Sequence, residues 1–211
     1  MMQNISRRII AISAVLMISA YFLPLWQIIL EAPQYPEGLG LEIWLHGITG
    51  NIDQINGLNH YIGMKHIVVD EFLEFKIVPY IFALIIILGL FTALNGSRKL
   101  LWVWISILIA FAIVGFTDFY LWEYDYGHNL DPRAAIKVPG MSYQPPLIGY
   151  KQLLNFLAGS LPASGAIIVG LAGIMAVGVL VYEHRLAKRF KLNVNAFTAP
   201  EVKAEEQMQP L

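Results

Sequence analysis

The sequence predicts an all-α membrane protein, in which four transmembrane helices carry two extracytoplasmic loops that form a small cap. Three observations lead to this prediction. The 211 residues are 57% hydrophobic and only 14% charged, with a mean hydropathy of +0.59, whereas soluble domains carry about 25% charged residues. Four long stretches are strongly apolar. Most of the Lys and Arg residues that flank these stretches fall on one side of the predicted membrane.

Each apolar stretch is about long enough to cross a hydrocarbon core of about 30 Å as a helix. The stretches are residues 9–30, 77–94, 100–122 and 161–182. The first follows Arg7 and Arg8, so a cleaved signal peptide is an alternative, but its apolar run exceeds the roughly 7–15 residues of such a segment and predicts an uncleaved anchor. Pro24 lies inside this stretch and should kink it or end its regular part.

The distribution of basic residues predicts that both termini are cytoplasmic. Arg and Lys occur before the first stretch, between the second and third, and after the fourth, and such residues favour the cytoplasmic side. The loop at about residues 31–76 is richer in acids than in bases, the loop at about residues 123–160 has equal numbers of the two, and both should lie outside. The chain then divides into a transmembrane domain with its loops, residues 1–192, and a polar cytoplasmic tail, residues 193–211, which we expect to be disordered.

Short elements are expected within the first outer loop. Residues 41–45 alternate between apolar and polar side chains, which predicts a short strand. Ile52, Ile55 and Leu58 have roughly helical spacing, which predicts a short helix at the membrane interface.

A cluster of imidazole and thioether side chains follows in the same loop. His60, Met64 and His66 lie within seven residues, and His60 and Met64 are four apart, which on a helix places both on one face. The second loop adds Met141 after a Pro-Gly turn. Because the chain has no cysteine, these four residues are the candidate ligands of a soft metal ion, and Met with His suits Cu(I) better than zinc, calcium or magnesium. The plainer alternative is that the histidines hydrogen-bond to loop backbone and the methionines pack.

Asp118 is the one acid inside a predicted span. An acid within a membrane is by default a functional hypothesis, but Asp118 lies about one turn from the outer end and could simply reach the interface. The alternatives are a partner for Lys151 or Arg133, or a proton-handling group. Together with His128 it raises the further hypothesis of a quinone-reactive subunit, against which stands the lack of a visible redox-cofactor site.

Several function classes are disfavoured by what the sequence lacks. It contains no nucleophile elbow, no phosphate-binding loop and no zinc-protease motif, so we expect that the protein is not an enzyme. A net charge of −1 gives no reason to expect a nucleic acid partner. Transporters usually have more spans and broken helices near the midplane, which makes a carrier or channel a poor match.

Two segments carry a resemblance to a known group of proteins. GLNHYIGMK (residues 57–65) and DPRAAIKVPGM (residues 131–141) resemble bacterial membrane proteins encoded beside the maturation factors of periplasmic nitrous oxide reductase, a copper enzyme. The resemblance covers both outer loops and the four-span plan. It implies an inner-membrane accessory protein that acts in copper supply, in assembly or in electron delivery to such a reductase, and it supplies no ligand residues.

The leading hypothesis is therefore an accessory protein of the inner membrane. It would bind Cu(I), or a periplasmic copper enzyme or its maturation proteins, through His60, Met64, His66 and Met141. The alternative is a metal-free scaffold whose cap docks a periplasmic or membrane partner, for which the aromatic and Pro-rich segment from Tyr143 to Tyr150 is suited.

Overall fold

The structure, a computed structural model, describes the backbone of residues 1–206 and the side chains of residues 1–190. It is mostly helical and also contains one five-stranded sheet, so the predicted all-α class is wrong in that respect. The elements in chain order are α1 (Asn4–Met17), β1 (Trp26–Ala32), β2 (Tyr35–Trp44), β3 (Gly47–Gly50), α2 (Ile52–Ile62), α3 (Glu74–Asn95), α4 (Arg98–His128), β4 (Gly149–Leu153), β5 (Phe156–Pro162) and α5 (Ser164–Glu206). Short 3-10 turns follow α1 at Ile18–Tyr21 and precede α3 at Val69–Glu71.

Four helical segments are long and apolar enough to cross a membrane, as the sequence predicts. They are Asn4–Tyr21, Glu74–Asn95, Arg98–His128 and Ser164–Phe190. The second and third contain the predicted spans at 77–94 and 100–122. At 31 residues, α4 is about 46 Å long, which exceeds a hydrocarbon core of about 30 Å. The helix is therefore longer than is needed to cross such a core.

The predicted bounds of the first and fourth spans are wrong at their sheet ends. The first, predicted at 9–30, ends as a helix at Tyr21, and β1 begins at Trp26. Pro24 interrupts the chain between them, and a short apolar run can form either a helix or a buried strand. The fourth, predicted at 161–182, begins at Ser164 because Leu161 and Pro162 belong to β5.

The sheet is built from both predicted outer loops together with the adjoining ends of the first and fourth predicted spans. Its strand order is β3-β2-β1-β5-β4, and all neighbours are antiparallel. Ile28 on β1 lies between Leu41 on β2 and Ser160 on β5. The indole of Trp26 donates a hydrogen bond to the hydroxyl of Ser160 at 2.7 Å, across 134 positions of the sequence. The pairing of β1 with β5 thus holds the two loops together as one unit.

A strand and a helix occur where the sequence predicts them in the first loop, and the place of the helix at the membrane interface stays a prediction. The strand expected at 41–45 is part of β2, and the helix expected from Ile52 is α2. We use the term cap for β1–β5, α2 and the segment 129–148 that connects α4 to β4.

The described residues form two separate hydrophobic cores. One lies among α1, α3, α4 and α5, with Trp104 fully buried at its centre and its indole donating to the carbonyl of Ile85 at 2.8 Å. The other lies in the cap and includes Ile28, Leu41 and Ile55. The C-terminal turns of α4 belong to this second core, since Tyr126 packs in it.

Polar contacts fasten the end of the bundle that lies opposite the cap. The guanidinium of Arg7 donates to the carbonyl of Ala93 at 2.8 Å, in the last turn of α3, where carbonyls lack helical partners. The buried carboxylate of Glu183 accepts from the backbone N–H of Gln3 at 2.8 Å and from the guanidinium of Arg98 at 2.9 Å. The basic residues used to orient the chain therefore lie away from the sheet.

The predicted disordered tail begins inside α5, which extends to Glu206. Residues 207–211 lie outside the described residues. The disorder expected from residue 193 stays a prediction.

Candidate functional site

An open groove of about 540 Å³ lies where α2 ends against the segment that follows α4. Gly63 ends α2 with a φ of 81°, a left-handed conformation that glycine adopts readily. A Cβ at this position would lie 2.9 Å from the carbonyl oxygen of Asp131. The carbonyl of Gly63 accepts from the backbone N–H of Asp131 at 2.8 Å, and that of Tyr61 accepts from the N–H of Ile136 at 2.9 Å. The two segments that carry the family resemblance are thus in direct contact.

Three of the four predicted ligands line this groove. The imidazole rings of His60 and His66 lie with their centroids 6.0 Å apart and their planes at 76°. Both side chains are exposed, and that of Met64, which also lines the groove, is half-buried. The expected reason for their proximity is wrong in detail, because α2 ends at Ile62 and Met64 lies beyond the helix. A tight turn, not a shared helical face, brings the three together.

Two asparagines of α2 hold this turn in place. The amide of Asn56 donates to the carbonyl of Ile67 at 3.0 Å and accepts from the N–H of Ile67 at 2.7 Å. The amide of Asn59, which is buried, donates to the carbonyl of Lys65 at 3.3 Å. All three bonds are made to backbone atoms of the turn and none to the imidazole of His66. The segment 64–67 therefore presents its side chains from a rigid support.

Charged groups on the rim of the groove are paired with each other. The ammonium of Lys65 donates to the carboxylate of Asp125, and the guanidinium of Arg133 lies 3.3 Å from the carboxylate of Asp131. The backbone N–H and the guanidinium of Arg133 hold the pKa of Asp131 below its ordinary value. Both carboxylates are ionised and paired with basic side chains at neutral pH. The imidazoles are therefore the groups in the groove that remain available to bind a metal ion.

The spacing of the two imidazoles is compatible with a shared metal ion. Imidazole nitrogen binds such ions at about 2.0–2.1 Å, so rings that share an ion have centroids up to roughly 6 Å apart. Within the described residues, no group of three His, Cys, Asp or Glu is placed to hold a metal. A third ligand at this groove would therefore be the thioether of Met64, which favours a soft ion.

The fourth predicted ligand, Met141, does not line the groove formed by the described residues. It is half-buried, and its backbone N–H donates to the carbonyl of Val138 at 3.1 Å, as expected of the Pro-Gly turn. Its role as a ligand stays a prediction.

Asp118 and His128, the two residues considered for proton exchange, do not line the groove. Asp118 is exposed on α4 and has the carboxylate of Glu74 as a charged neighbour. No ion pair in the described part of the chain joins it to Lys151 or Arg133. The imidazole of His128 stacks on the ring of Tyr124 with centroids 4.0 Å apart.

The burial of the Glu123 carboxyl is not predicted by the sequence. Glu123 is fully buried, and neither carboxyl oxygen has a hydrogen-bond partner among the described residues. It lies one residue past the predicted end of the third span, so it counted as a loop residue. The aromatic spacing of Phe119, Trp122 and Tyr126 was the available signal, because it continues a helical face beyond that end.

Comparisons with known proteins found no relative of this chain. No family model, no curated protein and no solved structure matches the chain.

Proposed function

We propose that the protein is a non-enzymatic accessory protein of the bacterial inner membrane, whose cap binds Cu(I), or a copper-bearing partner, on the periplasmic side. The observation that carries the proposal is the groove lined by His60, Met64 and His66, in which the two imidazole centroids lie 6.0 Å apart. Imidazole and thioether together suit Cu(I). With three protein ligands at an exposed site, the ion can be taken up and passed on.

The proposed partner is a periplasmic copper enzyme of the nitrous oxide reductase type, or one of its maturation proteins. Support comes from the resemblance of residues 57–65 and 131–141 and from the direct hydrogen bonds between these two segments. The groove lies at their junction, where a partner could exchange an ion with it.

The proposed orientation places the cap outside and both termini in the cytoplasm. It is supported by Arg7 and Arg98 at the bundle end that lies opposite the sheet. Because the chain has no cysteine, Ser142→Cys and Ser97→Cys provide single labelling sites at the two ends. A membrane-impermeant maleimide applied to intact spheroplasts should label the first and spare the second. The reverse pattern would show that the orientation is wrong.

An anaerobic Cu(I) competition titration on the purified protein tests the copper proposal. Loss of a ligand in His60→Ala, His66→Ala or Met64→Leu should weaken binding by at least about tenfold, since even supporting residues of metal sites contribute that much. Met141→Leu tests whether the fourth predicted ligand takes part.

His46→Ala is the matched control. His46 is also a cap histidine, but it lies beside Trp44 and away from the groove lining, so copper affinity should not change. Equal affinity in wild type and in the three ligand variants would overturn the proposed site.

A second candidate function is a metal-free docking module. The observation that favours it is a set of apolar side chains on the cap that are 40–60% exposed: Ile136, Val138, Ile148, Tyr150 and Leu154. Of the segment predicted for docking, Tyr150 is exposed but Tyr143 is buried. A partner captured equally well by the groove variants, and lost when Ile148 and Tyr150 are changed to Ser, would favour docking over copper binding.

A further inference from the structure

The first turns of α4 lie against α5 at the bundle end opposite the cap. The guanidinium of Arg98 donates to the carboxylate of Glu183 at 2.9 Å. One turn further along α4, the ring of Trp102 meets that of His184 edge to face, with centroids 6.4 Å apart. Both of these aromatic side chains are exposed. The two contacts identify the faces of α4 and α5 that are neighbours at this end.

Lys99 and Lys188 lie on these two faces, at about the same level. Lys99 is three residues before Trp102 on α4, and Lys188 is four residues after His184 on α5. Residues three or four apart share a face of a helix. The helices run in opposite directions here, because α4 leads to the cap and α5 leads away from it. With a rise of about 1.5 Å per residue, both lysines lie about 4.5–6 Å beyond the aromatic contact, on the side away from the cap.

No acid neutralises these two lysines among the described side chains. Both are exposed, and neither forms an ion pair within residues 1–190. The nearest acid along either helix is Glu183. Its buried carboxylate already accepts from Arg98 and from the backbone N–H of Gln3. The junction of α4 with α5 therefore presents two positive charges that are available to an anion.

Toward the cap, the same face becomes apolar. Val177 and Val181 are exposed and have the spacing that places them on one face of α5 with His184 and Lys188. The surface thus changes from aliphatic to aromatic to basic in the direction that leads away from the cap. A phospholipid has the same order of acyl chain, interface and headgroup, and Trp favours the membrane interface. We use the term lysine face for Lys99, Trp102, Val177, Val181, His184 and Lys188.

We infer that the lysine face is a binding site for an anionic phospholipid, whose phosphate lies between Lys99 and Lys188 and whose acyl chain lies along Val177 and Val181. Basic pockets between membrane helices hold the headgroups of such lipids, and the lysine ammonium is a common phosphate ligand. A zwitterionic lipid with a choline group would bring a third positive charge to the two lysines. The inference goes beyond the copper proposal and does not depend on it, because it concerns the opposite end of the protein.

Native mass spectrometry of the purified protein in detergent measures the binding of the first lipid. Dioleoylphosphatidylglycerol should bind more tightly than dioleoylphosphatidylcholine, which has the same acyl chains, by at least about fivefold, the contribution of one basic residue at a membrane surface. Equal affinities would overturn the inference. Glycerol 3-phosphate carries a phosphate without acyl chains, and a large excess should not displace the phosphatidylglycerol. Displacement would show that the face binds a soluble anion and would overturn the assignment to a lipid.

Variants of the two lysines locate the site. Lys99→Gln and Lys188→Gln should each weaken the binding of phosphatidylglycerol about fivefold, and the double variant should bind the two lipids equally well. Arg8→Gln is the matched control, because it removes an exposed charge at the same bundle end but on α1, and its affinity should equal that of wild type. Unchanged affinity in both lysine variants, or an equal loss in Arg8→Gln, would refute the inference.

Discussion

Replacing Gly127 by Ala should separate the last turn of α4 from the segment that closes the cap. A Cβ at Gly127 would lie 2.4 Å from both Cα and N of Gln144, whereas ordinary carbon contacts lie at about 3.5–4.0 Å. The neighbour is backbone, so no rotamer change relieves the contact. It is also held by the hydrogen bond from the N–H of Tyr143 to the carbonyl of Gly127 at 2.9 Å. The segment must therefore move by about 1 Å.

The magnitude follows from comparison with a second glycine of the same helix. Overpacking typically costs about 1–3 kcal/mol, and Gly to Ala within a helix gains about 1 kcal/mol. A Cβ at Gly115 would have nothing within 4 Å, so Gly115→Ala should show the gain alone. Because the gain is common to both variants, Gly127→Ala should be less stable than Gly115→Ala by about 1–3 kcal/mol.

Unfolding of both variants in the same detergent, together with hydrogen exchange, measures this difference. The amide of Tyr143 should exchange faster in Gly127→Ala, because its bond to the carbonyl of residue 127 is stretched, and should be unchanged in Gly115→Ala. Equal stabilities together with unchanged exchange at Tyr143 would refute the close packing of these two segments.

Three further variants test the turn, the bundle end and the bundle core. Asn56→Ala removes two of the three side-chain bonds that fix the segment 64–67, and Cu(I) affinity in the competition titration should fall about 10- to 100-fold, as for supporting residues of other metal sites. An unchanged affinity would show that the turn does not need the bonds from Asn56. Glu183→Gln should lower the free energy of unfolding by about 1–2 kcal/mol, because the charge that accepts two hydrogen bonds is lost. Thermal unfolding at low and high salt measures this loss. A stability equal to that of wild type at both salt concentrations would show that the pair of Arg98 and Glu183 does not stabilise the protein. Gly89→Ala would place a Cβ 2.7 Å from the ring of Trp104 and should lower the free energy of unfolding by about 1–3 kcal/mol in the same assay. The near-ultraviolet circular dichroism should change as well. A stability equal to that of wild type would contradict the close packing of α3 against α4.

The four apolar helices could be predicted from the sequence, because hydropathy over about 20 residues depends on each helix alone. The spans at 77–94 and 100–122 lie within α3 and α4 for this reason. The first and fourth spans are adjacent in sequence to strands that are equally apolar. Hydropathy does not distinguish a buried strand from a helix, and the pairing of β1 with β5 decides between them.

The sequence predicted one wall of the candidate groove and not the other. His60, Met64 and His66 are close along the chain, so their proximity required only a local turn. The opposite wall, from residue 129 to 135, comes from the other loop, and the hydrogen bond between Gly63 and Asp131 brings it there. Met141 was grouped with the three by composition, and composition does not specify a distance.

The sequence by itself determined the four apolar helices, the nearness of the imidazole and thioether side chains along the chain, and the strand and helix of the first loop. Each of these depends on residues that are neighbours in the chain. Only the tertiary structure decided that the loops form one sheet, that α4 continues into the cap, and that Glu123 is enclosed there without a partner. Strand pairing and burial join residues more than a hundred positions apart, as between Trp26 and Ser160. No local pattern encodes such contacts, because the free energy that selects them comes from the packing of the whole cap.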